Sequence, residues 1–246
     1  YSVVGEHVTI GAGTRVLSHV SIDGWTDIGE RCELHPFVSV GGPPQHMQYK
    51  GEPTKVVIGH DNILREYVTV NRATVQGGGV TTVGHSNFLM AYVHVAHDCH
   101  LGNHLILANA ASLAGHISIG DHAIIGGLSG IHQFVRIGAY AMVGGCCALG
   151  QDLPPFMRAA GGYRARMYGL NSIGLRRHGF SADRIAALKK AYEVLFRSGH
   201  RVAEAVKLAR ETFGASQDVM QVADFMQGTK RGICRSVGKD QEGEEE

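Results

Sequence analysis

An aliphatic residue recurs at every sixth position through most of the first 150 residues, and this period constrains the fold more than any other feature. One phase runs without a miss from Val83 to Leu149, and an earlier phase comprises Val4, Ile10, Val16, Ile22, Ile28, Leu34, Val40, Ile58, Leu64 and Val70. An amphipathic helix needs apolar spacings of three and four, and a half-buried strand needs a spacing of two. A period of six therefore excludes both as the main element of this region.

The residue that follows each aliphatic position is usually small, as in Gly84, Ala96, Gly102, Ala108 and Gly120. A six-residue repeat of this kind is typical of the hexapeptide parallel β-helix, in which three short strands form one triangular coil of eighteen residues. Each coil buries its inward side chains only against the next coil, so stability accumulates by stacking. The 34 glycines among 246 residues fit a chain with many tight corners.

The repeat divides the chain into a solenoid and a helical part, an all-β plus α class. We expect the β-helix over 1–156, interrupted by loops at about 42–55 and 76–82, and a bridging segment over 157–180. Helical spacing begins after Ser181, a predicted N-cap, so 181–236 is expected to form a C-terminal α-helical domain. The acidic tail 237–246 is expected to be disordered.

Composition and charge indicate a cytoplasmic protein. The formal charge of +1 makes neither nucleic acid nor a membrane surface an obvious partner. The five cysteines form no CxxC pair and are odd in number, so a reducing compartment fits better than a disulfide scaffold. No apolar run reaches the roughly 18 residues of a membrane span, and no signal peptide is visible.

The period also predicts which distant residues lie together. Residues eighteen apart share a column of the solenoid, about 4.8 Å from one another. His97, Gly115 and Gln133 share such a column, and His116 and His132 each lie beside one of its members. We therefore expect these residues to form one patch on the wall of the solenoid.

Three interpretations of this histidine-rich patch compete. Histidines from different coils could bind a metal, as in the zinc-dependent carbonic anhydrases built on the same solenoid. One histidine of "AYVHVAHDCH" (91–100) could instead be a general base, oriented by Asp98. The histidines could also be solvated side chains without a function. Spacing alone leaves the metal site and the general base open.

Several longer motifs resemble the UDP-N-acetylglucosamine O-acyltransferases that begin lipid A synthesis. They cover nearly the whole chain in order and are "GEPTKVVIG" (51–59), "VHVAHDCHLGN" (93–103), "LANAASLAGH" (107–116), "IIGGLSGIHQF" (124–134), "MVGGC" (142–146), "QDLPPF" (151–156) and "LRRHGF" (175–180). The resemblance implies a left-handed parallel β-helix with a C-terminal α-helical domain. It also implies a homotrimer with active sites between neighbouring subunits.

The resemblance further implies the reaction and its catalytic groups. A 3-hydroxyacyl chain would pass from acyl carrier protein to the 3-hydroxyl of UDP-N-acetylglucosamine, without a metal or a dissociable cofactor. His97 would be the general base, Asp98 would hold its ring, and the Gly115 N–H would donate to the thioester oxyanion. The spacing of eighteen residues independently places Gly115 next to His97, as a base and an oxyanion donor for one carbonyl group require.

The remaining residues that the resemblance implies are substrate contacts. Gly145 would line the groove for the acyl chain, and Asn171 and Arg177 would bind the nucleotide and its phosphates. The residues that would contact the substrates are His94, His116, His132 and Gln133, and His46 could hydrogen-bond a sugar hydroxyl. Many relatives carry Asp at the position of His46 and Lys at that of Gln48. A 3-amino sugar nucleotide therefore stays open as the acceptor.

Other functions remain open on the sequence alone. A related hexapeptide acyltransferase could use coenzyme A, whereas an acidic acyl carrier protein would need basic residues such as Arg164, Arg166, Arg176, Lys189 and Lys190. A zinc-dependent lyase and an inactive scaffold are the alternatives from other classes.

Overall fold

A computed structural model describes residues 1–234 and contains three sheets wound into one left-handed β-helix, with all strands parallel except the last. Sheet A comprises β1 (Val3–Val4), β4 (Ser21–Ile22), β7 (Ser39–Gly42), β10 (Thr69–Asn71), β13 (His94–Val95), β16 (Ser112–Leu113), β19 (Gly130–Ile131) and β22 (Ala148–Leu149). Sheet B comprises β2 (Val8–Ile10), β5 (Trp25–Ile28), β8 (Lys55–Ile58), β11 (Val80–Val83), β14 (His100–Leu101), β17 (Ser118–Ile119) and β20 (Arg136–Ile137). Sheet C comprises β3 (Arg15–Val16), β6 (Glu33–Leu34), β9 (Ile63–Leu64), β12 (Phe88–Leu89), β15 (Ile106–Leu107), β18 (Ile124–Ile125), β21 (Met142–Val143), β23 (Met157–Ala160) and β24 (Arg166–Leu170).

The strands stack in the register that the period of six predicts. In sheet A, His94 pairs with Ser112, and Ser112 pairs with Gly130 one coil further on. The inward aliphatic positions are buried, with Leu89 and Leu107 fully inaccessible. The predicted β-helix is therefore confirmed, and its core is a continuous column of aliphatic side chains.

Every coil turns at three edges, named here the A–B, B–C and C–A edges after the sheets that they join. The corner residues adopt a left-handed backbone conformation even where they are not glycine, as at Asp98 (φ 60°) and His116 (φ 62°) on the A–B edge. Both long loops, 43–54 and 72–79, also leave the solenoid at the A–B edge. The A–B edge therefore carries the irregular part of the wall.

The second loop differs from its predicted position. The sequence places it at about 76–82, whereas it occupies 72–79, because Val80–Val83 pairs in register with Lys55–Ile58. The first loop, predicted at about 42–55, is two residues shorter, because Gly42 is the last residue of β7 and Lys55 is the first residue of β8. In both cases the strand that follows the loop begins earlier than predicted, because its first residues pair with a strand of a neighbouring coil.

The solenoid pairing also continues beyond the predicted boundary at residue 156. β23 pairs in parallel with β21, with Arg158 opposite Met142, and then forms an antiparallel pair with β24. The two prolines of "QDLPPF" lie at a corner, where the missing proline N–H costs no ladder hydrogen bond. A proline pair at such a corner therefore does not end the coil.

Helices follow the last strand and pack on the end of the solenoid. They are α1 (Ser172–Arg177), α2 (Ala182–Tyr192), a π-helical turn (Glu193–Arg197), α3 (Val202–Phe213) and α4 (Gln217–Gln227). Ser181 caps α2 by accepting a hydrogen bond from the Arg184 N–H. Buried Asp152 accepts hydrogen bonds from Arg136 and from Thr229, just after α4, which ties the helices to the last coil. The predicted acidic tail lies outside the described residues.

A core substitution tests the stacking account. Leu107→Ala should lower the free energy of unfolding by about 2–5 kcal/mol, because it leaves a cavity between two coils. Ile106→Ala is the matched control, since Ile106 points outward from the same strand and is 37 % exposed. Chemical denaturation of both variants measures the two costs. Equal losses would contradict a core formed by the inward column.

Candidate active site

The A–B edge collects most of the predicted site residues from successive coils and from one loop. His97 and Asp98 lie in the turn after β13, and Gly115 and His116 lie in the equivalent turn one coil further on. The His116 N–H donates to the His97 carbonyl over 3.1 Å, which fixes the two turns together. The predicted adjacency of His97 and Gly115 is therefore confirmed.

His97 and Asp98 form a buried hydrogen-bonded pair. The His97 Nδ1 atom lies 2.7 Å from Asp98 Oδ2, and the Asp98 side chain is 0 % exposed. A carboxylate only accepts, so Nδ1 carries the proton in this contact, and Nε2 is left as the basic nitrogen. His97 itself is 9 % exposed, which leaves a small part of its ring accessible to a ligand.

Two threonines hold the Asp98 carboxylate and its backbone. The Thr74 N–H donates to Asp98 Oδ1 over 2.9 Å, and the Thr74 hydroxyl donates to Oδ2 over 2.7 Å. The Asp98 N–H in turn donates to the buried Thr81 hydroxyl. Sequence reasoning misses both threonines, because Thr74 lies in a loop without the period and Thr81 falls inside the predicted loop 76–82.

Gly115 offers a backbone donor beside the His97 ring. No hydrogen bond within residues 1–234 uses the Gly115 N–H. At the B–C edge the equivalent N–H groups are capped by side chains, as where the His85 N–H donates to Asn103 Oδ1. A Cβ on Gly115 would lie 2.6 Å from His97 Cε1, so only glycine fits there without displacing the ring.

Two further histidines contact the His97 ring at its edges. His46, from the first loop, and His116 lie with ring centroids 5.5 and 5.2 Å from that of His97. Burial lowers the pKa of His116 despite the nearby Asp98 carboxylate, and burial also lowers the pKa of His94. Both side chains are therefore mostly neutral near pH 7 and can donate or accept one hydrogen bond at each ring nitrogen.

Arg72 anchors the loop that carries His46. Its guanidinium lies 5.6 Å from the ring centroids of both Trp25 and Tyr49. The Arg72 Nε–H also donates to the Tyr49 hydroxyl, and an Nη1–H donates to the Gly41 carbonyl. Stacking between two aromatic rings and two hydrogen bonds together restrain the loop over the His97 ring.

The other predicted residues divide between this edge and the other two. His132 and Gln133 are exposed on the A–B edge one coil beyond Gly115. Gly145 lies on the C–A edge. Asn171 donates to the Tyr140 carbonyl at the B–C edge, and Arg177 is exposed at the end of α1. One chain therefore does not bring Gly145, Asn171 and Arg177 to the His97 site.

The site has the features of an acyl-transfer centre and one feature of a metal centre. A base oriented by a carboxylate beside an uncapped backbone donor suits attack on a carbonyl carbon. His97, Asp98 and His116 also offer ligand atoms within 4.8 Å of one another, a separation that a metal could span. The Asp98 oxygens already accept three hydrogen bonds from Thr74 and His97, which favours acyl transfer over metal binding.

A small substitution tests the geometry at Gly115. Gly115→Ala should displace the His97 ring and lower turnover by at least about tenfold, because its Cβ would overlap the imidazole. Gly150→Ala is the control, since a Cβ there would meet no atom within 4 Å. Steady-state turnover and thermal unfolding of both variants provide the comparison. Wild-type turnover in Gly115→Ala would contradict the close approach.

Comparisons with known proteins give the family of the chain. Residues 152–234 match the family described as UDP N-acetylglucosamine O-acyltransferase, domain 2. The acyl-(acyl-carrier-protein)–UDP-N-acetylglucosamine O-acyltransferase of Thermodesulfovibrio yellowstonii is 54 % identical over 96 % of this chain and 91 % of that protein. The protein of the same name from Syntrophobacter fumaroxidans is 47 % identical over the same shares. The structure of LpxA from Acinetobacter baumannii superposes with a TM-score of 0.93 at 42 % identity, over 96 % of this chain and 91 % of that one. The chain therefore belongs to the UDP-N-acetylglucosamine O-acyltransferase family.

Proposed function

We propose that this protein transfers a 3-hydroxyacyl chain from acyl carrier protein to the 3-hydroxyl of UDP-N-acetylglucosamine, the first step of lipid A biosynthesis. The observation that carries the proposal is the buried His97–Asp98 pair beside the uncapped N–H of Gly115. The names of relatives up to 54 % identical supply the donor and the acceptor. Within residues 1–234, no helix is long and apolar enough to cross a bilayer. We also propose a cytoplasmic location.

His97 acts as the general base in this proposal. Its Nε2 removes the proton of the sugar 3-hydroxyl while that oxygen attacks the thioester carbonyl carbon. The Gly115 N–H stabilises the oxyanion of the tetrahedral intermediate, a contribution of typically about 10²–10³ in rate for one such donor. The C–S bond then breaks, the carrier-protein thiolate takes the proton from His97, and the acyl ester remains on the sugar. Asp98 stabilises the imidazolium between the two proton transfers.

The remaining residues of the A–B edge are proposed to bind the acceptor. His94 and His116 are mostly neutral near pH 7, so each can accept or donate a hydrogen bond to a sugar hydroxyl. His46 contacts the edge of the His97 ring and is within reach of the same sugar. His132 and Gln133 extend the surface by one coil. Many relatives carry Asp at the position of His46, so a 3-amino sugar nucleotide is a second acceptor to test.

We propose that the protein acts as a homotrimer in which neighbouring subunits complete each site. The support is that the predicted contacts lie on three different edges of one chain. His97 lies on the A–B edge, Gly145 on the C–A edge, and Asn171 on the B–C edge. A second copy would bring its acyl-groove residue Gly145 and its nucleotide residues Asn171 and Arg177 against the His97 edge of the first.

A zinc-dependent lyase is the second candidate function, and the cluster of His97, Asp98 and His116 is the observation that favours it. Zinc lyases of this solenoid use three imidazoles and keep one open position for water. Here the third member is a carboxylate that already accepts three hydrogen bonds from Thr74 and His97. Elemental analysis of the purified protein decides between the two. Zinc near one equivalent per chain would favour the lyase.

The proposed reaction is tested with the purified protein, a panel of 3-hydroxyacyl carrier proteins, and either UDP-N-acetylglucosamine or its 3-amino analogue. Mass spectrometry should detect an acylated sugar nucleotide, and its mass gives the chain length. His97→Gln should lower turnover by at least about 10²-fold, because the general base is lost. His200→Gln is the matched control, since His200 is an exposed histidine between the π-helical turn and α3 and does not lie on an edge of the solenoid. Absence of product with both acceptors would contradict the proposal.

Chain-length selection gives a separate prediction. Gly145→Met should shift the preferred donor toward shorter chains, because a Cβ on Gly145 meets nothing nearer than the Gly127 carbonyl oxygen at 3.4 Å. The longer side chain would fill that space. Competition between donors of different length measures the shift, and Gly150→Met controls for a new methionine elsewhere. An unchanged preference would remove Gly145 from chain-length selection.

A further inference from the structure

We propose that Thr74 is a positioning residue of the reaction, which acts on His97 through Asp98; the inference rests on the proposed role of His97 as the general base. Thr74 lies in the loop 72–79, outside the repeat that builds the rest of the site. Its hydrogen bonds within residues 1–234 go to Asp98, Gly77 and Gly79 and include none to His97. Its hydrogen-bond partner is the Asp98 carboxylate, which also accepts a hydrogen bond from the His97 ring.

Thr74 supplies two of the hydrogen bonds that solvate the buried Asp98 carboxylate. Its N–H donates to Oδ1 over 2.9 Å and its hydroxyl donates to Oδ2 over 2.7 Å, and Thr74 is itself only 3 % exposed. A buried carboxylate needs such donors, because the cost of removing its charge from water is otherwise large. Thr74 therefore replaces water as a donor to this carboxylate and holds Asp98 in one orientation.

The hydroxyl of Thr74 acts in a chain of hydrogen bonds that ends on the base. The Gly77 N–H donates to Thr74 Oγ1 over 3.1 Å, which leaves the hydroxyl proton for Asp98 Oδ2. The same Oδ2 accepts the Nδ1–H of His97 over 2.7 Å. Two donors on one oxygen fix the angle at which the imidazole approaches it. The direction of His97 Nε2 is thereby set by the position of Thr74.

Gly77 gives independent support for a loop shaped around Asp98. A Cβ on Gly77 would lie 2.0 Å from Asp98 Cγ and 2.1 Å from its Oδ1. The loop backbone therefore lies directly on the carboxylate. A loop that served only as a spacer would not need this close approach.

The test compares Thr74→Val and Thr74→Ser with the wild-type protein. Valine keeps the shape and the backbone N–H of Thr74 but removes the hydroxyl, whereas serine keeps the hydroxyl. Thr14→Val is the matched control, because the Thr14 hydroxyl also donates one hydrogen bond, to the Gly29 carbonyl, and accepts one, from the Cys32 N–H. Thr14 lies in the first coils of the solenoid, far along the chain from His97.

Thr74→Val should lower kcat by about 10- to 100-fold, the usual worth of a hydrogen bond to a charged group, with little change in KM for either substrate. The acidic limb of its pH–rate profile should move to higher pH, because Oδ2 keeps more negative charge toward the imidazolium. The other titratable groups that face His97 are His46, His94 and His116, and none changes. Thr74→Ser and Thr14→Val should retain wild-type kcat and pH profile.

A measurement without substrates separates this inference from the proposed function. The proton between His97 Nδ1 and Asp98 should give a downfield NMR resonance that is absent in His97→Gln. That resonance should shift in Thr74→Val, and remain in place in Thr74→Ser and Thr14→Val. If it stays in place in Thr74→Val, and kcat and the pH profile are also unchanged, the inference is overturned while the proposed function stands. A shifted resonance in a protein without acyltransferase activity would support the positioning role and overturn only the proposed function.

Discussion

In-register stacking of eighteen-residue coils is the constraint on which the rest of this structure depends. Each strand pairs with the equivalent strand one coil away, as where Leu89 lies opposite Leu107, and the inward side chains form one column. The same register also aligns side chains on the outer surface of the solenoid. Phe37, Tyr67 and Tyr92 stack along the C–A edge with ring centroids 4.9 and 4.8 Å apart. Any side chain at an edge is therefore held near its equivalents in the neighbouring coils.

The candidate site depends on this register and on two departures from it. Stacking brings Gly115 beneath His97, so a donor and a base from different coils lie within reach of one carbonyl group. The loops 43–54 and 72–79 then add His46 over the His97 ring and Thr74 on the Asp98 carboxylate. The rigid wall fixes the reacting groups, and the loops provide the groups that a regular six-residue repeat has no room for.

The sequence was most informative where the repeat is regular. The period predicts the β-helix, and its column arithmetic predicts the adjacency of His97 and Gly115, because both follow from chain spacing alone. Thr74 could not be found in this way, since a loop has no register until its contacts are known. The continuation of the solenoid past Pro154 and Pro155 was also missed, because a proline is tolerated at a corner and disruptive in a central strand. Gly145 and Asn171 are separated from His97 because the three residues lie on different edges of the solenoid. The family motifs do not show on which edge a residue lies.

In the proposed reaction, one carbonyl group meets both the His97 base and the Gly115 donor. A crystal structure of the protein with the acylated sugar nucleotide would show whether this is so. Transfer at this edge predicts the ester carbonyl oxygen within about 2.7–3.1 Å of the Gly115 nitrogen. It also predicts the 3-oxygen of the sugar within about 2.6–3.2 Å of His97 Nε2. A product bound elsewhere on the solenoid, or bound at this edge with its ester turned away from both groups, would exclude transfer by His97 and Gly115.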